Sequence, residues 1–328
     1  MLDALVIGQG IAGSILAYDL HKKGLTVHIL NDTSKSAASL VAAGLIQTIS
    51  GRYLSIAKDS ITQINTALAY YQKLEKEFQQ SFISPIKCYR YLTDDQLKKW
   101  EQKKQKVPYQ TFLSNTLIQA PHIKNSALNF IEVFNNFHIN PKTLIQAYQA
   151  FFKDKNILFS GTFDEDLCKQ KDGYIEYKQF KCKKIILCTG HYSASSNLTK
   201  HITFNNVKGE TQTIKLDQAD INCVYQGSEW MVPFGQKTYK IGATFDHHLT
   251  LATTIEGQER LSKLTATLGF NNPDIIEKQA GIRCVTKDRQ PLTNAHPENK
   301  HILFFTGFGS KGFMTCPFYK DQFIKQHF

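Results

Sequence analysis

The first thirty residues leave little freedom to the rest of the chain. An apolar run, Ala4-Leu5-Val6-Ile7, ends in Gly8-Gln9-Gly10-Ile11-Ala12-Gly13 and continues in a helical pattern to Lys23. A strand that turns through G-x-G-x-x-G into a helix is a seat for a dinucleotide pyrophosphate. Gly8 permits the tight turn, Gly10 lets backbone approach the phosphates, and Gly13 lets helix and strand pack closely. Free N–H groups and the helix dipole attract the anion. Ile11, Ile15, Leu16 and Leu20 give the helix an inner face, Gly24 stops it, and Leu25-Thr26-Val27-His28-Ile29-Leu30 reads as the second strand. The βαβ opening is complete within about 30 residues, as the fingerprint requires. The acidic residue expected at the end of that second strand, to hold a ribose hydroxyl, is replaced by Asn31, with Asp32 next.

At 328 residues the chain can form one large domain or two intertwined ones. Its first strand begins at residue 3 or 4 with no charged or apolar leader, and no stretch reaches the length of a membrane span. A soluble, cytoplasmic protein without a membrane partner is expected. Seven cysteines with no C-x-x-C pair argue against both a disulfide framework and a zinc site, and no metal is expected. The net charge of +11 fits either an anionic or nucleic-acid partner or a lysine-rich solvated surface.

Further along, residues 34–49 read as a loop entering a helix, with Ala42-Ala43-Gly44-Leu45 either lying under a flat ring or packing helix on helix. Ile61, Ile64, Leu68, Tyr71, Leu74 and Phe78 mark a long amphipathic helix. Residues 82–92 read as a strand, Thr93 or Asp94 caps a short lysine-rich helix around Trp100, and 107–138 as further strands. Asn140-Pro141 starts another helix. Lys184-Ile185-Ile186-Leu187-Cys188-Thr189-Gly190 is a buried parallel strand ending in glycine. From 207 to 246 strand follows strand, with Lys208-Gly209-Glu210 at a turn, and a helix follows over about 255–268. The strand Ile302-Leu303-Phe304-Phe305 runs into Thr306-Gly307-Phe308-Gly309-Ser310-Lys311-Gly312-Phe313, a second glycine-rich turn into a helix. The pattern predicts an α/β chain (α+β overall), in which a Rossmann-like domain is interwoven with a mainly antiparallel sheet domain.

The pieces G-Q-G-I-A-G, A-A-G-L, L-C-T-G, G-A-T near 242, G-I-R-x-x-T-x-D-x-x-P from 281 and G-F-G-S-K-G from 307 resemble the FAD-dependent oxidoreductases of the D-amino acid oxidase and glycine oxidase superfamily, over the whole chain. Within it, the sequence is most similar to the FAD-dependent domain of bacterial tRNA wobble-uridine modification enzymes. The resemblance implies non-covalent FAD held by 1–50, 139–205 and 281–328, and a substrate domain of 51–138 and 206–280. It places FAD contacts at Gly8, Gly10, Ile11, Ala12 and Gly13; at Asn31, Asp32 and Ser36; at Ala43, Gly44 and Leu45; and at Thr189 and Gly190. The last group is Gly307, Gly309, Ser310, Lys311, Gly312 and Phe313.

The implied chemistry is hydride transfer from a carbon beside an amine nitrogen to flavin N5, with O2 or another electron acceptor. Arg283 would hold a substrate carboxylate, or else pair with Asp288. Lys311 would set a cation near the flavin, or lie solvated in its loop. Trp230 would face substrate, or fill the core. His247 and His248 lack a third ligand and read as loop residues, while His191 reads as positioning backbone. Three functions stay open: oxidation of the carboxymethylaminomethyl group of a tRNA wobble uridine, oxidation of free glycine, sarcosine or a D-amino acid, and a non-catalytic flavin-binding, RNA-associated role.

Overall fold

The computed structural model describes residues 1–217 and 220–328. One sheet has eight strands: β1 (Leu2–Ile7), β2 (Val27–Asn31), β10 (Leu158–Ser160), β11 (Cys168–Lys171), β12 (Tyr174–Tyr177), β13 (Phe180–Leu187), β19 (Ala295–His296) and β20 (Asn299–Phe304). β10, β2, β1 and β13 run parallel in that order. The far edge of β13 takes β12 antiparallel along its first half and β20 parallel along its second.

Alternation along β1 feeds two cores, Ala4 and Val6 into one and Leu5 and Ile7 into the other. A strand buried on both faces reads as a continuous apolar run, which is how 4–7 and 185–187 announce themselves. Over the first of these cores pack α1 (Ile11–Lys22), α3 (Ser60–Phe78), α5 (Pro141–Asp154) and α7 (Gly312–His327). The α5 start is the one its sequence predicts: Asn140 Oδ1 accepts the Thr143 N–H at 3.1 Å, and Pro141 occupies the first turn.

The second sheet has seven strands in the order β18 (Asp274–Arg283), β14 (Val207–Lys215), β17 (Thr238–Gly242), β16 (Trp230–Gly235), β15 (Cys223–Gln226), β7 (Lys87–Leu92) and β8 (Asn129–Val133). All neighbours are antiparallel except β15 and β7. α6 (Ile255–Thr267) covers one face, burying Leu261 and Leu264 against Tyr225, Met231, Tyr239 and Ile241. β3 (Leu45–Ile46), β6 (Ile83–Pro85) and β9 (Phe137–Ile139) form a small sheet, and β4 (Ile49–Ser50) with β5 (Ser55–Ile56) a hairpin. Thr93 caps α4 (Asp94–Lys103) in a capping box with Gln96.

Four expectations change. The helix expected within 34–49 shrinks to the single turn α2 (Ala38–Val41), because Gly44 takes φ +71° and Leu45 pairs with His138 in β3. The strand expected over 82–92 divides at Ile86 between two sheets. Of 107–138 only β8 and β9 are strands; Leu113 and Ile118 merely bridge to β8.

The fourth change concerns Lys208-Gly209-Glu210, which lie inside β14 rather than at a turn. Lys208 and Glu210 share the α6 face and are 0% and 1% exposed in an ion pair of 2.8 Å. The Glu210 carboxylate also accepts the Thr254 N–H and the Gln258 amide at 3.0 and 2.8 Å, so it anchors the α6 N-terminus. A polar-Gly-polar triplet ordinarily signals a turn; here each charge has a buried partner. Burial alone would raise the Glu210 carboxyl, but the Lys208 ammonium, the Gln258 amide and the Thr254 N–H outweigh it and hold it below the ordinary 4.5.

Glu210→Ala leaves a buried ammonium without its carboxylate and should cost about 3–5 kcal/mol. Lys208→Met with Glu210→Leu should recover most of that loss in urea titrations. Because the folded carboxyl sits lower than the unfolded one, its contribution is present above pH 4.5 and fades as pH falls below it. A Glu210→Ala protein as stable as the parent at pH 7 would refute the buried pair.

Candidate active site

A cavity of about 1030 Å3 lies between the C-terminal ends of β1, β2 and β13 and the inner face of the seven-stranded sheet. It sits at the top of the roughly 300–1,000 Å3 range of ligand pockets, as a dinucleotide with a small substrate requires.

Its floor on one side is the glycine turn. Gly8 has φ +96°, and a Cβ there would sit 2.7 Å from the Cys188 carbonyl oxygen. A Cβ on Gly13 would collide with the Gly8 carbonyl oxygen, so these two glycines are required by strand–helix contact itself. Gly10 differs: the nearest atom to a Cβ there is the Ser39 hydroxyl at 3.3 Å, and the space beyond is open cavity. α1 has no side-chain cap at Gly10; Ser39 Oγ accepts the Ile11 N–H at 3.0 Å from across the cavity wall. Gly312, at the start of α7, packs against Ile11, with a Cβ there 3.1 Å from Ile11 Cγ2. Two helix N-termini thus stand side by side at the cavity, an arrangement that suits a pyrophosphate.

Of the eighteen residues other than Lys311 that the resemblance offers as FAD contacts, Gly13 is the one that does not line this cavity; it is buried behind Gly8. Asn31 lines it, but its Oδ1 accepts the Gln9 N–H at 2.9 Å and so braces the turn. Asp32 is held at about 2 by the hydroxyls of Ser34 and Thr162, with Lys35 at 3.8 Å. Gly44 presents backbone to the cavity and meets the Ile139 carbonyl where its Cβ would be, so its close contact is with the end of strand β9 and not with another helix. Thr189 Oγ1 and Ser193 Oγ are 2.7 Å apart beside Gly190.

Arg283, Lys311 and Trp230 line the same cavity. The Arg283 guanidinium lies over Gly209, where any Cβ would strike it. Among the described residues its N–H groups reach only the carbonyls of Lys208 and Thr244, at 3.4–3.5 Å. The alternative pairing with Asp288 is absent: that carboxylate is exposed and accepts the Gln290 N–H at 3.0 Å. No carboxylate pairs with Arg283 or Lys311 among the described residues, and burial pulls both cations below their ordinary pKa. The half-buried Trp230 ring covers Gly242, whose Cβ would lie 2.7 Å from Trp230 Cζ2. His247 and His248 sit on an exposed loop outside the cavity lining, while His191 lines it and offers its carbonyl to the Asn206 amide at 3.4 Å.

Sequence reasoning missed Ser39, Thr211, Gln226 and Arg260, all of which line the cavity. Ser39 stands in a segment read for its small residues. Thr211 and Gln226 share a sheet face that only strand register reveals. Arg260 reaches from α6 to the Glu229 carboxylate at 2.5 Å.

The family described as DAO, FAD dependent oxidoreductase, matches residues 3–319. The Marinobacter nauticus tRNA 5-methylaminomethyl-2-thiouridine biosynthesis bifunctional protein MnmC is 25% identical, over 95% of this chain and 53% of its own length. This chain therefore spans about half the length of that relative. Glycine oxidase of Bacillus subtilis is 22% identical over 96% of this chain and 90% of its own. Among solved structures, glycine oxidase from Geobacillus kaustophilus superposes with a TM-score of 0.82 at 16% identity, covering 99% of this chain and 95% of that one. Iminodiacetate oxidase from Chelativorans gives 0.80 at 18% identity, with 97% and 93% covered. These structures share the fold.

The two inner glycines separate fold from ligand. Gly10→Val meets only a hydroxyl in the protein but fills space beside the helix terminus. It should keep the apoprotein's melting temperature while weakening FAD about ten- to a hundredfold, the worth of one charge-assisted hydrogen bond. Gly13→Val should lower the melting temperature of the apoprotein itself. Wild-type FAD affinity in Gly10→Val, measured by flavin fluorescence, would show that the turn is not a phosphate seat.

Proposed function

Since the chain belongs to the DAO family of FAD-dependent oxidoreductases, we propose that it oxidises the C–N bond of an N-substituted glycine in the cytoplasm, its substrate the carboxymethylaminomethyl group of a tRNA wobble uridine. The observation that carries this is Arg283: a largely buried guanidinium facing the cavity with no carboxylate partner among the described residues. A buried cation without a counter-ion is costly, and a substrate carboxylate would offset that cost.

Bound FAD supplies the acceptor of the hydride and its two electrons. Loss of hydride from the glycine α-carbon and of the amine proton leaves a C=N bond, and water then releases the amine and glyoxylate. In this reading Arg283 grips the carboxylate with two parallel N–H groups and so fixes the α-carbon. Trp230 walls the site against water. Lys311, drawn below its ordinary pKa by burial, sets its amine beside the α7 N-terminus as the source of positive charge. Segments 1–50, 139–205 and 281–328 hold FAD in this reading, while 51–138 and 206–280 shape the substrate side.

The tRNA half of the reading is supported by the ground beside the cavity. Ser50 and Gly51 line it, and the chain continues into Arg52 and Tyr53. Lys99 lies over the Tyr53 ring at 4.6 Å, Arg52 at 4.8 Å, and Lys103 over Tyr109 at 4.9 Å. A cluster of cations and aromatic rings at a cavity margin suits an RNA backbone. Free glycine or sarcosine would use Arg283 in the same way, and the likeness to glycine oxidase over nearly its full length favours that second reading.

Arg283→Lys keeps the charge but loses the fork, and should lower kcat/KM about ten- to a hundredfold with FAD content unchanged. Asp288→Asn, which removes no partner of Arg283, should behave as the parent. Anaerobic flavin reduction, normalised to bound FAD, reads both, and an unchanged rate and affinity in Arg283→Lys would sink the carboxylate role. Nucleosides of tRNA from a deletion strain should accumulate the carboxymethylaminomethyl form; an unaltered nucleoside profile would hand the function to the free amino acids.

A further inference from the structure

The inner face of the seven-stranded sheet carries one cross-strand row whose polar groups the carboxylate grip does not use. Register places Thr211 beside Gly242, Gly242 beside Trp230, Trp230 beside Gln226, and Gln226 beside Arg90. Three features of this row point to a ligand. Thr211 is 2% exposed, lines the cavity, and its hydroxyl has no hydrogen-bond partner among the described residues. Gln226 also lines the cavity; its Oε1 takes only a weak contact from the Cys88 thiol at 3.7 Å, and its amide N–H2 has no partner among the described residues. Behind it Arg90, 2% exposed, gives Nη2 to the Gly51 carbonyl at 2.8 Å and leaves Nε and Nη1 unpartnered.

Unmade hydrogen bonds on buried groups cost more than made ones gain, so Thr211 and Gln226, which line the cavity with Arg90 behind them, call for a ligand with matching atoms. Between Thr211 and Gln226 lies the Trp230 ring, a flat apolar surface made possible by the bare backbone of Gly242. From the strand bearing Gly209 and Thr211 to the strand bearing Gln226 is three strand spacings, about 14 Å. Free glycine would fill only the Arg283 end of that span.

We infer that Thr211, Trp230 and Gln226 form a second subsite beside the Arg283 grip, which takes a planar ring rich in carbonyl acceptors, a pyrimidine dione. The ring lies against Trp230, its carbonyl edge receives the Gln226 N–H2 in the positive field of Arg90, and Thr211 Oγ1 bonds the linking amine. This rests on the function proposed above and goes further, because it makes Trp230 and Gln226 specificity residues for the ring, while Thr211 serves the amine that every N-substituted glycine shares.

The test titrates the FAD-loaded protein with sarcosine, N-benzylglycine and 5-carboxymethylaminomethyluridine, reading Kd from the flavin visible spectrum and, separately, the rate of anaerobic reduction. The wild type should bind the nucleoside at least about tenfold more tightly than N-benzylglycine, the worth of one hydrogen bond to a buried amide. That preference should vanish in Gln226→Leu. Thr211→Val, which loses the bond to the amine that all three compounds carry, should weaken all three and leave the nucleoside's preference over N-benzylglycine in place. A wild type that binds the three alike, or a preference that survives Gln226→Leu, overturns the subsite. Failure of the parent reading looks different: no N-substituted glycine reduces the flavin, while the Kd comparison still decides whether the ring is held.

Discussion

The contact on which this architecture depends is between two backbones. The Gly8 carbonyl oxygen occupies the place where a Gly13 Cβ would be, so α1 can lie directly on the end of β1. That closeness aims the α1 N-terminus at the cavity, and Gly312 brings the start of α7 against Ile11 by the same absence of a side chain. The fold thereby concentrates two sets of unpaired N–H groups and two helix dipoles at one point. Ser39 meets one of those N–H groups from the opposite wall.

Glycines shape the opposite wall as well, by making room for side chains rather than for a ligand. Gly209 lies under the Arg283 guanidinium and Gly242 under the Trp230 indole. The two faces of the same strand then treat cations differently. On the α6 face Lys208 is paired with Glu210, whose carboxylate is in turn hydrogen-bonded to Thr254 and Gln258. On the cavity face Arg283 has only distant carbonyls. A paired buried charge is a structural device, whereas an unpaired one beside a cavity stores binding free energy for an anion that arrives later.

How much of this was legible follows from the same physics. The βαβ opening could be read because a doubly buried strand is uniformly apolar and because the glycines there answer to backbone contact, which any sequence must respect. Asn140-Pro141 and Thr93 could be read because caps are local. Lys208-Gly209-Glu210 could not, since what makes them strand residues is a helix N-terminus more than forty residues away, at Thr254. Thr211 and Gln226 were hidden for a related reason: on an antiparallel sheet the residues that meet are set by register, and no local pattern in the chain distinguishes a threonine facing a cavity from one facing a core.

The segment Ala38–Val41 shows why a region read as a loop entering a helix holds only a single turn. Ser39 serves one wall of the cavity, and Leu40 and Val41 serve the other. The Ser39 hydroxyl accepts from Ile11 at the start of α1; the Leu40 carbonyl accepts from the buried Lys240 ammonium of the second sheet at 3.4 Å; Val41 packs on Gly281, two residues before Arg283. Among the described residues Lys240 has that carbonyl and the Gln279 side-chain oxygen, at 3.1 Å, as hydrogen-bond partners, and burial draws its pKa down to about 8. A continuing helix would satisfy its own backbone and turn one stripe of side chains to one neighbour. One helical turn followed by extended chain can instead touch the α1 N-terminus and the seven-stranded sheet together, so the spacing between the two walls of the cavity is set by three consecutive residues.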